Sequence, residues 1–163
     1  MIRSRVQISR RYVSFLSETQ EEVLSFVRPP FAAAVDAEEY KRQDIAENEA
    51  MNRGVRNRTI YMVDYEWADF IKDNLDRRQM GGEEARLTTD LPFKMFVFDG
   101  KKTLIALRSL PGATGSDFSM IAVNDADFAK AFCILFDDFW EKAYTIDEWP
   151  KLMAEITVGE RTS

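Results

Sequence analysis

The sequence predicts an α/β domain, a single mixed β-sheet flanked by helices, with the element order α-β-α-β-α-β-β-β-β-α-α. Three observations lead there. Helical and strand periodicities alternate over the first half of the chain and give way to consecutive strands in the second. At 163 residues the chain is long enough for one domain with a full core and short for two. Its 45% hydrophobic and 12% aromatic residues, against 31% charged, are the balance of a folding globular protein.

Each element has its own warrant. Ile8, Tyr12, Phe15 and Leu16 recur at helical spacing, which predicts an amphipathic entry helix over residues 8–20. Residues 22–27 are short, apolar and partly β-branched, and Arg28-Pro29-Pro30 ends that strand because proline cannot donate to a ladder. A loop through residues 31–36 leads to a second helix over 37–53, rich in Ala, Glu, Lys and Arg and closed by Gly54. Residues 55–63 alternate and then become apolar, a strand running into a core. Trp67, Phe70, Ile71 and Leu75 place a third helix over 64–80, ended by Gly81-Gly82.

A short strand is expected at 84–88, and Pro92 precedes another at 93–98. Asp99-Gly100 reads as the turn of a hairpin whose return strand is 101–110. Residues 111–115, Pro-Gly-Ala-Thr-Gly, read as a mobile loop before a last strand at 119–123. Asn124 or Asp125 can cap the long helix in which Phe128, Phe132, Phe136, Phe139 and Ala143 share one face, taken as core. Thr145-Ile-Asp-Glu148 fits a capping box, so a final helix should start near Asp147 and end before Gly159. The expected organisation is an entry helix in 1–20, a main domain in 21–143, and a C-terminal helix and tail in 144–163.

Composition narrows the chemistry. The chain has no histidine, which excludes every mechanism built on an imidazole base, nucleophile or metal ligand. Cys133 is the single cysteine, so there is no internal disulfide and no multi-cysteine zinc site, and a reducing cytoplasmic setting is expected. Its place within the apolar stripe reads as an inert buried thiol. A net charge of −6 disfavours a general binder of phosphate backbones. No apolar run is long enough to span a bilayer. The acidic segment 36–49, with Asp36, Glu38, Glu39, Asp44, Glu47 and Glu49, reads as a solvated helix face rather than a metal site. No cofactor and no metal are expected.

The order of elements resembles half of a phospholipase-D-like domain, and the resemblance becomes specific at Pro92-Phe-Lys-Met-Phe-Val-Phe-Asp-Gly100. That superfamily's signature is His, any residue, Lys, four residues, Asp. Lys94 and Asp99 fall on the motif while proline stands at the histidine position. Where the superfamily continues with Gly-Ser, any residue, Asn, this chain has Ala106-Leu-Arg-Ser109. Six blocks carry a narrower likeness: Glu22-Val-Leu-Ser-Phe-Val-Arg-Pro-Pro-Phe31, Arg53-Gly-Val-Arg-Asn-Arg-Thr-Ile-Tyr61, Gly82-Glu-Glu-Ala-Arg86, Leu91-Pro-Phe-Lys94, Asp99 with Leu104-Ile-Ala-Leu107, and Leu135-Phe-Asp-Asp-Phe-Trp-Glu-Lys-Ala143. By these the chain is similar, within the superfamily, to the effector-sensing domain of TrmB-like transcription regulators and related bacterial helix-turn-helix regulators. The family's winged-helix segment has no counterpart ahead of residue 20, which implies either a fragment or a sensor acting on a separate partner.

Two readings of the site stay open at this stage. In one, Lys94 supplies a cation for an anionic or polyol ligand, Asp99 orients it, and Arg28, Arg58, Tyr61 and Glu84 at the strand ends complete a positively charged pocket. In the other, Lys94 is a partly solvated vestige, Asp99 is a turn former, and Arg28, Arg58, Glu83 and Glu84 make surface ion pairs. Residues five apart on a regular strand point to opposite faces, which weighs against Lys94 and Asp99 sharing one pocket.

The resemblance together with the lost catalytic positions implies a non-enzymatic sensing and dimerisation domain of a transcription regulator. Its expected partners are a small polar or anionic effector, a second copy of the chain as a homodimer, and DNA only through an attached or partner helix-turn-helix domain, with no membrane. The alternative is an interaction scaffold of the same fold without a small-molecule ligand. A divergent phosphodiesterase would need Tyr61 or Asp99 as a replacement nucleophile.

Overall fold

Four consecutive residues of the strand Glu22–Val27 are buried, the mark of a strand covered on both faces. In the computed structural model, which describes residues 1–29, 37–108 and 118–162, this strand (β1) is central to a six-stranded sheet. The other strands are β2 (Arg56–Met62), β3 (Glu84–Thr88), β4 (Met95–Phe98), β5 (Lys102–Arg108) and β6 (Phe118–Asn124), in the spatial order β3-β2-β1-β4-β5-β6. β1, β2 and β3 run parallel through their crossover helices, while β4, β5 and β6 are antiparallel. The sheet is therefore mixed. The helices are α1 (Arg5–Glu18), α2 (Ala37–Asn52), α3 (Ala68–Met80), α4 (Ala126–Lys142) and α5 (Trp149–Arg161), with a single 3-10 turn at Ile146–Glu148 before α5.

One face of the sheet carries α1 and α2, where Phe15 and Leu16 pack with Val23, Phe98, Leu104 and Met120. The opposite face carries α4, whose Phe136 is fully buried against Leu24, Phe26, Ile60 and Val97. Burying a side chain of that size contributes roughly 2–3 kcal/mol, and its stacking on Phe26 adds to it. A third cluster joins α3 and α5 near β3 through Ile71, Leu75, Leu87, Leu152 and Ile156. Each sheet edge is blunted by an isolated bridge, Leu87 with Tyr144 on one side and Ile2 with Met120 on the other.

Local chemistry sets the boundaries. Ser4 caps α1 by accepting from the Gln7 N–H, so the helix begins ahead of its first apolar repeat. α3 starts at Ala68 rather than Asp64, because the Asp64 carboxylate accepts from Trp67 N–H and holds the preceding turn. Asp125 caps α4 through Phe128 N–H at 2.8 Å. The capping box of Thr145 and Glu148 is present, but it closes the 3-10 turn that leads into α5. α5 continues through Gly159 to Arg161, since the packing of Leu152 and Ile156 outweighs one glycine's cost of about 1 kcal/mol. Phe128 is 40% exposed and so contributes less to the core than its place in the aromatic stripe suggests. The expected loops at 31–36 and 111–115, and Pro30, lie outside the described residues.

Candidate ligand-binding cavity

The alternation of a strand fixes which side chains meet. On β2, Asn57, Thr59 and Tyr61 point toward the α1–α2–α3 side, and Arg58 and Ile60 toward α4. Ser25 and Val27 of β1 share the first side with Lys94 and Phe96, which belong to β4 and its lead-in. The backbone of Lys94 is fixed to β5, its C=O accepting from Ala106 N–H at 3.0 Å. Between this floor and the three helices lies a cavity of about 810 Å³. Most of the other residues of this sheet face are apolar core, and Ser25, Asn57, Thr59 and Lys94 form a polar patch on it, in which Thr59 Oγ1 donates to Asn57 Oδ1 at 3.3 Å.

Lys94 is only 8% exposed. Burial, with a smaller contribution from the Arg28 guanidinium, lowers its ammonium to about 8. Across the cavity, two tyrosines and two carboxylates surround one arginine. Tyr12 donates to Glu47 Oε1 at 3.1 Å, Tyr61 donates to Glu83 Oε1, and Arg78 pairs with Glu83 Oε2 at 3.5 Å. Burial pushes the Glu47 and Glu83 carboxyls up, and Arg78 with the two phenols pulls them only part of the way back. Burial opposes the charge on Arg78 too, but the surrounding Tyr61, Glu83 and Glu47 outweigh it and hold the guanidinium firmly protonated.

The structure brings Lys94 and Tyr61 to this cavity and sends the other sequence-predicted residues elsewhere. Arg58 lies on the opposite face, bonded to Glu22 at 2.8 Å and set over the rings of Phe136 and Trp140. Glu84 is exposed at the sheet margin and pairs with Arg56, which lowers its carboxyl. Arg28 donates to the carbonyls of Leu91 and Pro92, at 2.8 and 3.1 Å, and so holds the turn that precedes Lys94. Asp99 is bound to the backbone of residues 20–22. The expected convergence of Arg28, Arg58, Tyr61 and Lys94 is thus corrected by strand parity, which divides Arg58 from Tyr61, and by the backbone acceptors that occupy Arg28.

Two other expectations change. Glu39 and Glu47 do not belong to a solvated helix face: Glu39 is 5% exposed and accepts from Ser9 Oγ at 3.0 Å, and Glu47 lines the cavity. Cys133 is half-buried rather than fully so, and burial followed by Asp137 raises its thiol. Sequence reasoning passed over Tyr12, Glu47 and Arg78 as site residues. The available signal was the phase of α1, which turns Ile8, Ser9 and Tyr12 to one side.

Solved structures that share this fold decide the architecture. The fold is phospholipase-D-like. It is similar to TrmBL2, an archaeal chromatin protein, with a TM-score of 0.65 and 18% identity over 89% of this chain, which spans about half (53%) of that chain. It is similar also to Nuc, a phospholipase D family member from Salmonella typhimurium, with a TM-score of 0.60 and 16% identity over 83% of this chain and 89% of that one. NucT from Helicobacter pylori matches with a TM-score of 0.56 and 12% identity over 87% of this chain and 93% of that chain. No family model matches the sequence and no curated protein matches it. Among the described residues no helix is long and apolar enough to cross a membrane.

Proposed function

We propose that this phospholipase-D-like domain is a non-catalytic effector sensor and dimerisation module of a transcription regulator, acting in the cytoplasm on a small polar or anionic ligand. The observation that carries the reading is the cavity itself: a chamber of about 810 Å³ with Lys94 in its wall and Pro92 where the superfamily motif has its histidine. A lysine can hold an anion, but with no histidine anywhere in the chain there is no imidazole to attack phosphorus or to protonate a leaving group. Recognition remains where the catalytic pair is incomplete.

The TrmB-like part of the reading draws support from the shared fold with TrmBL2, a protein with a novel mode of DNA binding. The present chain carries a net charge of −6, so contact with DNA is assigned to an attached or partner helix-turn-helix domain. Coupling follows from the cavity's construction. Side chains from α1, α2, α3 and the sheet all line it, so a ligand touching several of them shifts the population toward the arrangement it fits.

The test pairs two assays on the purified chain. Incubation at high protein concentration with bis(p-nitrophenyl) phosphate is expected to release no nitrophenol above background, and sedimentation equilibrium is expected to give a dimer. Hydrolysis that disappears in Lys94→Ala would establish an enzyme and overturn the non-catalytic reading, and a monomer at all concentrations would remove the dimerisation role.

A further inference from the structure

We infer that the cavity selects a phosphate monoester carried on a planar ring, its phosphate on Arg5 and Arg77 at the mouth and its ring against the aromatic side chains beside them. The inference rests on the reading of the cavity as an effector site and goes further in naming the ligand's chemistry. The charge of the lining, its aromatic surfaces and the adjacency of the two point the same way.

Charge sets the sign and the amount. Among its described residues the lining holds Arg5, Arg77, Arg78 and Lys94 against Glu47 and Glu83, so it is net cationic inside a chain of net charge −6. Arg78 is engaged by Glu83 at 3.5 Å, and Lys94 belongs to the floor, with the Arg28 guanidinium close enough to act on it. Arg5 at the start of α1 and Arg77 near the end of α3 are exposed, and neither makes an ion pair with a carboxylate among the described residues. Arg77 Nη2 donates to Asn74 Oδ1 at 3.1 Å and to Tyr40 Oη at 3.5 Å. Two guanidinium forks on two helices present several donors to one anion, which suits the oxygens of a phosphate. A phosphate monoester brings close to two negative charges at neutral pH and so balances both guanidiniums, where a monocarboxylate balances one.

The aromatic surfaces lie at the same mouth. Tyr40, Trp67 and Phe70 line the cavity, and Tyr40 and Phe70 remain 47% and 50% exposed. Trp67 meets Phe70 edge to face at 5.7 Å. Flat rings left half in water beside a cavity favour a planar ring in offset or edge-on contact over a flexible, fully hydroxylated body.

Adjacency joins the two. The Tyr40–Arg77 hydrogen bond sets an aromatic side chain of α2 beside a guanidinium of α3. Phe70, Asn74 and Arg77 recur at helical spacing and all line the cavity, so one face of α3 carries both a ring contact and the cation. Two turns separate Phe70 from Arg77, roughly 10 Å of rise, a span that a ring with a phosphate on a short arm covers. Neither arginine belongs to the Lys94 frame.

The test is isothermal titration of the full chain with ring phosphates of two sources. These are the adenosine, guanosine, cytidine and uridine 5′-monophosphates, and 1-naphthyl phosphate, which has no sugar between ring and phosphate. The parent nucleosides, 1-naphthol, 1-naphthoate and ribose 5-phosphate are run beside them. At least one ring phosphate is expected to bind one per chain and at least tenfold more tightly than its phosphate-free parent, than naphthoate and than ribose 5-phosphate. Whether that compound is a nucleotide or the naphthyl ester identifies the source. Arg77→Gln, at an exposed position where little folding is at stake, is expected to bring it down to the level of its phosphate-free parent, and Phe70→Ala to weaken it severalfold. If Arg77→Gln does not fold, the comparison of compounds on the unmodified chain decides alone. A phosphate-free parent binding as tightly as its phosphate, or undiminished binding by a folded Arg77→Gln, would overturn the inference. Naphthoate or ribose 5-phosphate binding in preference would overturn it while leaving the effector cavity standing. Binding of none of the compounds would overturn it and remove support from the effector reading as well.

Discussion

Asp99 Oδ1 accepts a hydrogen bond from the backbone N–H of Glu21 at 2.8 Å, so the aspartate of the Lys94 frame fastens the entry to β1 instead of facing Lys94. The same carboxylate takes the N–H of Gln20 at 2.9 Å and of Glu22 at 3.0 Å. Asp99 also holds φ at 51°, a left-handed turn conformation that aspartate and asparagine tolerate better than most residues. One half of the old motif is architectural and the other half faces a cavity.

Asp99→Ala is expected to destabilise the fold by about 2–3 kcal/mol, since it strands three amides and places an ill-suited residue at a positive φ. Asp99→Asn, which keeps an acceptor and suits that conformation, should cost less. Burial alone would raise the Asp99 carboxyl, but the three amides outweigh it and hold it below its ordinary value. Its contribution is therefore present above the unfolded carboxyl's pKa and lost as pH falls through the folded one. Urea unfolding of both variants at neutral and acid pH checks the order.

Lys94 carries the opposite signature. Its folded value of about 8 lies below that of an unfolded lysine, so the native state pays for the charge at neutral pH and is relieved as pH rises. Stability should increase with pH above about 8, until the tyrosines begin to ionise, and Lys94→Met should flatten that rise. Chemical denaturation in steps from pH 7 to 10 measures the slope.

Arg58 is predicted to be structural. Its guanidinium bonds Glu22 and lies 5.1 Å from the Phe136 ring centre and 5.4 Å from that of Trp140. Arg58→Ala should cost roughly 2 kcal/mol, and Arg58→Lys should recover only part because the planar stacking is lost. Neither change should alter binding of any ligand in the Lys94 cavity, which thermal unfolding with and without that ligand would reveal.

Burial raises the Glu47 carboxyl, and Arg78 and the Tyr12 phenol offset that rise only in part. A carboxyl raised in this way stabilises the fold below the unfolded pKa and loses that contribution as pH rises through the folded one. Glu47→Gln keeps an acceptor for Tyr12 and removes the penalty, so the variant should gain stability relative to the parent at pH 7 and lose that advantage near pH 4. Parallel melts at the two pH values give the comparison.

The fold was readable because its signals are local and redundant. β1 lies on the apolar, partly β-branched run 22–27 and β3 on the expected 84–88, and of the two candidate caps Asn124 and Asp125 it is Asp125 that caps α4. The site was less readable because it depends on which strand face meets which helix. Nothing local to Arg58 and Tyr61 says that one faces α4 and the other the cavity, and only the register of β1 with β2 separates them. Glu47 looked like a solvated charge because α2 is acidic along its length, and its burial comes from Tyr12 of a different helix. Asp99 was legible as a turn residue before Gly100, while its bonds to residues 20–22 span nearly half the chain.

The central claim, that a ligand is held at Lys94, is tested most directly by thermal unfolding across sugars, sugar phosphates, carboxylic acids, nucleotides and lipids. The parent chain, Lys94→Ala, Arg58→Lys and Asp99→Asn would be run side by side. A ligand at a hundredfold excess over its dissociation constant adds about 2.7 kcal/mol, which raises the midpoint by several degrees in a domain of this size. The account predicts a saturable shift that is lost in Lys94→Ala and kept in Arg58→Lys and Asp99→Asn. A shift that survives in Lys94→Ala, or a panel flat in the parent chain, would contradict it.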